Sequence, residues 1–181
     1  GRNKKGTVAS LKKWAEELGV EVLVVRTKIR GGSKISTTAI KKQIALSQTF
    51  RAAELMGRPY SICGKKVKGK GIAGTLGFPT VNLIPEKHKA VPEGVFAAEV
   101  TCKAGRFPAV VNAGPSPTFG IKKVFEFHAI GAESAALVAK CGKFTVEFGR
   151  FIRKQKKFAS RASLIERIKK DIEIAKKRSI C

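Results

Sequence analysis

Acidic residues are scarce in this sequence: 13 Asp and Glu stand against 37 Lys and Arg among 181 residues, a formal net charge of +24. No apolar run is long enough to cross a membrane, and the basic segment at residues 1–5 lacks the apolar stretch of a signal peptide. We therefore expect a cytoplasmic protein with no membrane partner. The four cysteines are far apart, without a C-x-x-C pair or a nearby His, which predicts reduced thiols and indicates no zinc site.

Hydrophobic residues make up 43% of the chain, enough for a packed core. The length allows one full domain and part of a second. The positive charge would attract polyanions such as ATP, a flavin phosphate, RNA or an acidic membrane surface. The alternative is that solvated faces are simply rich in lysine, and charge alone does not decide between the two.

The N-terminal third has the pattern of half an α/β unit, which predicts a partial α/β segment over residues 1–55. Helical spacing predicts a helix over Val8–Leu18, and the valine-rich run Val20–Val25 predicts a strand buried in a parallel sheet. Hydroxyl residues at 36–38 are good N-caps for a second helix. A third helix is predicted over Thr49–Met56 and ends at Gly57.

The remainder, residues 56–181, has the short, regularly spaced strands of a mainly β domain, a closed antiparallel barrel. A turn-rich loop is predicted at 112–120, and a C-terminal helix over Ser160–Arg178 has a possible capping box at Ser163 and Glu166. Strands are predicted at Tyr60–Val67, from Thr80 onward, and at Gly94–Thr101, Phe107–Ala113, Val124–Ile130 and Lys143–Ile152.

The stretch Gly74–Leu83 reads Gly-Thr-Leu-Gly-Phe-Pro-Thr-Val-Asn-Leu. Pro79 favours an extended chain that enters a strand directly. Thr80 and Asn82, two residues apart on a strand, would then share one face. A hydroxyl and an amide oxygen side by side can seat a hydrated Mg²⁺ that carries nucleotide phosphates. The alternative interpretation is a polar strand edge with a local side-chain turn.

A glycine-rich segment precedes this stretch and formally matches G-x-G-x-x-G over residues 69–74. A dinucleotide site needs a helix directly afterwards, and Pro79 followed by a strand rules that out. We predict instead a flap that folds over nucleotide phosphates through its backbone amides and a lysine. The flap residues are Gly69, Lys70, Gly71 and Gly74.

Glu126 is the candidate general base. It alternates with Val124 and His128 along a predicted strand, so the three side chains should share a face, which we expect to be the inner side of the barrel mouth. A carboxylate there could accept a proton from an acceptor hydroxyl. The alternative is a solvent-facing glutamate with no role in chemistry.

These motifs resemble riboflavin kinases. The stretch Gly74–Leu83 is very like their signature, and Gly-Arg-Pro-Tyr from residue 57, Pro-Thr-Phe-Gly from residue 117 and Glu-Phe-His from residue 126 follow in the family's order. The resemblance runs from about Met56 to about Lys177. The preceding residues look like the tail of the FMN adenylyltransferase domain of bacterial bifunctional FAD synthetases.

The resemblance implies a Greek-key-like barrel of about six strands and an ATP:riboflavin 5′-phosphotransferase that needs Mg²⁺ and makes FMN and ADP. It implies that Glu126 is the base, that Thr80 and Asn82 bind Mg²⁺ and phosphates, and that Arg153 and Phe158 hold the flavin. A remnant of the adenylyltransferase phosphate segment remains at Ser36, Thr37, Thr38 and Lys41. Because that family's histidine motif is absent, we expect no adenylyl transfer.

Departures from the family gather on the flavin side. Residues 131–142 contain no aromatic, and two usually acidic positions are Lys154 and Gln155. Residues 149–157 consequently form a basic strip that suits an RNA backbone. A second hypothesis is therefore a kinase fold with impaired catalysis that acts as a basic RNA-binding component.

Overall fold

The computed structural model describes residues 6–30, 33–69, 73–116 and 121–177. Backbone contacts divide the chain into two units, Gly1–Ile35 and Ser36–Cys181. The boundary predicted between residues 55 and 56 was placed by the family resemblance, not by contacts, and it stays a prediction.

The first unit contains one helix and one small hairpin. Thr7 caps the helix and forms a capping box with Ser10, whose backbone N–H donates to the Thr7 hydroxyl at 3.2 Å. The elements are α1 (Val8–Glu17), β1 (Ile29–Arg30) and β2 (Ser33–Lys34), of which the two strands pair antiparallel. The predicted first helix is confirmed.

The predicted strand at Val20–Val25 is wrong. The structure has no regular element there, and the side chains of Leu23 and Val25 are 84% and 82% exposed. An apolar run becomes a buried strand only when neighbouring strands satisfy its backbone groups. Among the described residues no strand pairs with this segment.

The second unit consists of two short helices, a barrel of six strands, a helix between the last two strands and a C-terminal helix. The predicted helices before the barrel and at the C-terminus are confirmed. In chain order the elements are α2 (Thr37–Ala45), α3 (Thr49–Met56), β3 (Tyr60–Val67), β4 (Val81–Pro85), β5 (Gly94–Cys102), β6 (Gly105–Ser116), β7 (Ile121–Ala129), α4 (Ala132–Ala139), β8 (Lys143–Arg153) and α5 (Arg161–Lys176).

The six strands close into an antiparallel barrel in the order β3–β4–β7–β6–β5–β8, and β8 pairs back with β3. The predicted closed barrel of about six strands is confirmed. β5 and β6 pair at nine positions, whereas β4 and β7 pair at two, Val81 with Phe127 and Asn82 with Glu126. Among the described residues the β4–β7 seam is therefore the shortest ladder of the barrel.

Alternate residues of each strand fill the barrel interior, as the two-residue period of a strand requires. Phe96, Phe127 and Phe148 are fully buried, and the rings of Phe96 and Phe148 meet edge to face at 5.4 Å between centroids. Ile62 and Val146 complete the same core cluster from β3 and β8. The residues between these positions point to the outer face of the barrel.

Helix α5 packs on the outer face of β5 and β6, where Ala175 and Ala97 belong to one buried cluster and Ile172 packs against it. Its N-cap is Ser160, and the capping box forms with Ser163, whose backbone N–H donates to the Ser160 hydroxyl at 3.2 Å. The predicted box between Ser163 and Glu166 is wrong, because the helix starts three residues earlier than that box requires.

An ion pair anchors α5 to the last strand. The carboxylate of Asp171, 2% exposed, accepts from Arg153 Nε at 2.9 Å and Nη2 at 2.8 Å, and from Arg167 Nε at 3.0 Å. A buried carboxylate is tolerated only when its charge is paired and its oxygens accept hydrogen bonds. Both conditions hold here, so Asp171 fixes the end of β8 to the helix.

Three cysteines lie in the described part of the chain, and Cys63, Cys102 and Cys141 carry free thiols. Burial and the neighbouring Cys141 thiol raise the pKa of Cys102. Because the thiolate is the reactive form, Cys102 is a poor nucleophile at neutral pH. None of the described helices has the length and apolar character that a bilayer crossing needs.

Candidate active site

A row of polar side chains crosses three adjacent strands on the outer face of the barrel. Asn82 on β4 lies opposite Glu126 on β7, and Glu126 lies opposite Asn112 on β6. Directly opposite residues of an antiparallel pair have Cβ atoms about 5 Å apart and point to the same side. The side chains of Asn82, Glu126 and Asn112 are therefore neighbours. All three are half-buried.

The structure corrects the expected orientation of Glu126. Phe125 and Phe127 on either side of it point into the core, so Glu126 and His128 point outward, not to the inner side of the barrel mouth. Alternation places the two phenylalanines inside because burying aromatic rings is favourable, whereas burying an unpaired carboxylate is costly. Glu126 nevertheless lies beside Asn82, as the predicted chemistry requires.

A chain of two side-chain amides leads to the Glu126 carboxylate. Asn112 Nδ2 donates to Glu126 Oε1 at 3.1 Å, and Gln155 Nε2 donates to Asn112 Oδ1 at 2.6 Å. The sequence interpretation missed both residues: it placed Asn112 at the end of the strand predicted over Phe107–Ala113 and in the loop predicted at 112–120, and it placed Gln155 in the basic strip. The alternation of that strand could have identified Asn112, because it puts Asn112 on the outer face between the buried Val111 and Ala113.

The glycine segment reaches the row through Gly69. A side chain added at Gly69 would overlap the Asn82 amide, with the new Cβ atom 2.7 Å from Asn82 Cγ. Val67, the last residue of β3, also pairs with Asn82. The backbone of this segment therefore lies directly on the Asn82 side chain. Lys70 and Gly71 lie outside the described residues, and Gly74 starts a short 3₁₀ turn that ends at Gly77.

For the riboflavin kinase activity that the resemblance implies, Gly69→Ala is expected to raise KM for MgATP about tenfold, since overpacking of this kind typically costs about 1–3 kcal/mol. The new methyl group must displace either the Asn82 amide or the flap. Steady-state kinetics of FMN formation at varied MgATP measures the effect. Gly142→Ala is the matched control, because a Cβ atom there meets nothing within 4 Å. An unchanged KM in Gly69→Ala would show that the flap does not act through Asn82.

His128 fixes the chain just before Thr80. Its Nδ1 lies 2.8 Å from the carbonyl oxygen of Pro79, and its ring meets Phe78 edge to face at 5.8 Å. A carbonyl can only accept, so Nδ1 carries the proton of this hydrogen bond. Thr80 follows at the entrance of β4 and is half-buried. The histidine of the Glu-x-His segment thus holds the chain at the entrance of β4. The glutamate, two residues before that histidine, carries the carboxylate of the row.

The oxygen donors of this site fit a magnesium ion. Mg²⁺ prefers oxygen ligands, keeps several waters and is usually shared with substrate phosphates. Asn82 carries an amide oxygen directly opposite the Glu126 carboxylate of the neighbouring strand, and Thr80, two residues before Asn82, carries a hydroxyl. Within the described ranges, no cluster of three or more His, Cys, Asp or Glu side chains could hold a metal by itself.

The two residues expected to hold a flavin lie close together, Arg153 at the end of β8 and Phe158 five residues later. The Arg153 guanidinium is 5.5 Å from the centroid of the Phe158 ring, and Lys156 Nζ is 5.2 Å from it. Arg153 also uses Nη1 to donate to the Lys154 carbonyl at 3.1 Å, besides its ion pair with Asp171. The guanidinium is therefore engaged within the protein, where it shapes residues 153–158.

The other predicted site residues, at the start of α2, are not part of the row. Ser36 caps α2 and accepts from the backbone N–H of Ala39 at 3.2 Å, which confirms a capped helix. Thr37 and Thr38 are exposed in its first turn, and Lys41 is exposed. Phosphate binding by these residues stays a prediction. Residues 132–139, part of the stretch without aromatics, form α4.

Comparison with known proteins gives consistent matches. The family model Flavokinase, described as riboflavin kinase, matches residues 56–179. A bifunctional riboflavin kinase/FMN adenylyltransferase of Haemophilus influenzae is 32% identical over 179 residues, which is 97% of this chain and 57% of the relative. The protein of the same description from Escherichia coli K12 is 31% identical over 173 residues, covering 94% of this chain and 54% of the relative.

A solved structure also matches. The crystal structure of a macrolide-efflux protein from Streptococcus pneumoniae superposes with a TM-score of 0.81 at 27% identity, covering 97% of this chain and 56% of that one. The chain thus spans a little more than half the length of the relatives it matches.

Proposed function

Because the chain belongs to the Flavokinase family of riboflavin kinases, we propose that it transfers the γ-phosphate of ATP to the 5′-hydroxyl of riboflavin. The products are FMN and ADP. One observation carries the proposal: Glu126 lies between Asn82, which contacts the glycine segment, and Asn112, which bonds Gln155 in the segment that contains Arg153 and Phe158. The carboxylate thus stands between the proposed nucleotide side and the proposed flavin side.

Phosphoryl transfer requires mainly positioning and charge stabilisation. Glu126 accepts the proton of the 5′-hydroxyl as the oxygen attacks the γ-phosphorus and the bond to the bridging oxygen of ADP breaks. Asn112 keeps one carboxylate oxygen occupied, which leaves the other for the hydroxyl. On the nucleotide side, the Gly69 backbone lies on Asn82, and His128 holds Pro79 and so the position of Thr80.

Thr80 and Asn82 are the residues that would hold Mg²⁺ together with the phosphates of ATP. The ion would neutralise charge on the phosphates and so ease attack by an oxygen nucleophile. Gly69 and Gly74, with Lys70 and Gly71 outside the described residues, are proposed to cover the phosphates. Gly69 and Gly74 are exposed, and glycine has no side chain that would keep a phosphate from their backbone amides.

On the flavin side, Phe158 offers a half-buried ring. Arg153 contributes indirectly, by holding that ring and the preceding strand end in place. The basic strip gave rise to the alternative of RNA binding, but neither the matched family nor the relatives named above are described as RNA-binding. The cytoplasmic location expected from the sequence stays a prediction.

The test is incubation of the purified chain with riboflavin, ATP and Mg²⁺, followed by chromatographic separation of riboflavin, FMN and FAD. We expect FMN to form, to depend on Mg²⁺ and to fall to background without ATP. The same chromatograms test the expected lack of adenylyl transfer, since FAD should not appear. No FMN above a protein-free control, with folding verified by circular dichroism, would refute the proposal.

A further inference from the structure

The orientation of the Asn112 side chain follows from the chemistry of its neighbours. An ionised carboxylate only accepts hydrogen bonds, so the Asn112 atom 3.1 Å from Glu126 Oε1 is its NH₂ group. The Asn112 carbonyl oxygen must then face Gln155, and the Gln155 group 2.6 Å from it must be the donor NH₂. The NH₂ group of Gln155 thus donates to Asn112, and the NH₂ group of Asn112 donates to the carboxylate.

The far end of this chain of hydrogen bonds is itself held in place. Gln155 Oε1 lies against Gly114, where an added Cβ atom would come within 3.2 Å of it. Gln155 follows Arg153 by two residues, and the buried Asp171 on α5 fixes Arg153. Gln155 therefore follows a strand end that the C-terminal helix anchors, and its Oε1 lies beside Gly114.

We propose that Asn112, oriented by Gln155, is a positioning residue that holds Glu126 through Oε1 and leaves Oε2 free for the acceptor hydroxyl. The role in turnover rests on the proposed kinase function, whereas the hydrogen-bonded chain itself does not. Glu126 carries its carboxylate on two rotatable side-chain bonds beyond Cβ, and a fixed carboxylate spends more time in the reactive geometry. Misplacement of a reacting group by about 1 Å can cost about 10²-fold in rate.

The first experiment compares the side-chain NH₂ resonances of Asn112 in ¹H–¹⁵N spectra of the wild type, Glu126→Ala, Gln155→Ala and Glu147→Gln at one pH. We expect these resonances to move in Glu126→Ala and in Gln155→Ala, because each change removes one hydrogen-bond partner of the Asn112 amide, and to stay in place in Glu147→Gln. Resonances that stay in place in Glu126→Ala or in Gln155→Ala would overturn the proposal whatever the turnover.

The second experiment is a double-mutant cycle for FMN formation with Asn112→Ala and Glu126→Gln. A positioning role predicts that Asn112→Ala lowers kcat about 10²-fold with KM for MgATP unchanged. In the Glu126→Gln background the same change should lower kcat less than about threefold, because residues that act as a unit are not additive. Gln155→Ala should have a smaller effect in the same direction.

Thr145→Ala is the matched control. Thr145 is also a half-buried polar residue on the outer face, bonded to Cys63 at 3.5 Å, but it lies near the other end of β8. The kcat of the Thr145→Ala variant should match that of the wild type. Equal losses from Asn112→Ala in both backgrounds would assign Asn112 a structural role only and overturn the proposal. Wild-type protein that forms no FMN, while the Asn112 resonances still move in Glu126→Ala and Gln155→Ala, would refute the kinase function and leave the hydrogen-bonded chain standing.

Discussion

Glu126→Gln is expected to lower kcat for FMN formation by about 10²- to 10⁴-fold, the usual contribution of a general base. Glutamine keeps the size of the side chain, and its Oε1 can still accept from Asn112 Nδ2. What it loses is the ability to take the hydroxyl proton. KM for MgATP should change little, because Asn82 and the glycine segment are untouched. Steady-state kinetics over a range of both substrates measures the effect.

Glu147→Gln provides the comparison. Glu147 is likewise an outer-face strand glutamate, with Oε2 at 3.4 Å from Arg106 Nη2, and its side chain is 28% exposed. It lies on β8, where it pairs with Glu99 on β5 instead of with Asn82. Its substitution should leave kcat within about twofold of the wild type. Similar rates for Glu126→Gln and wild type would remove the base from the mechanism.

Asp171→Asn is expected to lower the free energy of unfolding by about 3–5 kcal/mol, the typical cost of removing one partner from a buried ion pair. The side chain of Arg153 is 16% exposed, and after the change its guanidinium would have no anion against it. Arg167 would lose its partner as well. Urea unfolding followed by circular dichroism gives the free energy, provided that the slope with urea is unchanged.

Glu166→Gln is the control, because it breaks an ion pair of the same helix in full solvent. Glu166 and Lys170 are 2.6 Å apart at helical spacing and both are exposed, and the Lys170 ammonium lowers the pKa of Glu166. Exposed pairs contribute little to stability, so unfolding of Glu166→Gln should match that of the wild type. A cost of less than about 1 kcal/mol for Asp171→Asn would mean that α5 is held by its apolar contacts alone.

The barrel was predictable because its strands are short, regularly spaced and separated by turn residues. The neighbourhood of Asn82 and Glu126 was predictable only through the family resemblance, since the contact depends on the pairing register of two strands about 40 residues apart in sequence. The sequence alone could have predicted the outer face for Glu126, because Phe125 and Phe127 alternate with it and aromatic residues take the core side. The expected inner position of Glu126 ignored that pattern.

Two other features could not be read from local sequence. The Gly-Pro-rich residues after Asn112 indicated a loop, yet β6 continues through Ser116, because pairing with β7 satisfies its backbone. Flavin binding by Arg153, which the resemblance implies, stays a prediction, and its ion pair with the buried Asp171, 18 residues later, was not expected. Only the packing of α5 on the barrel brings these two side chains together, and no spacing rule anticipates it.

The seam between β4 and β7 carries Asn82 on one side and Glu126 on the other, with two paired positions to hold it. A ligand that contacts both residues would bridge the shortest strand ladder of the ring among the described residues. By mass action, such a ligand stabilises the closed barrel over any form in which that ladder has parted. Binding of such a ligand and closure of the ring would therefore be thermodynamically linked, and the bound ligand would add rigidity at the place where the proposed phosphoryl transfer occurs.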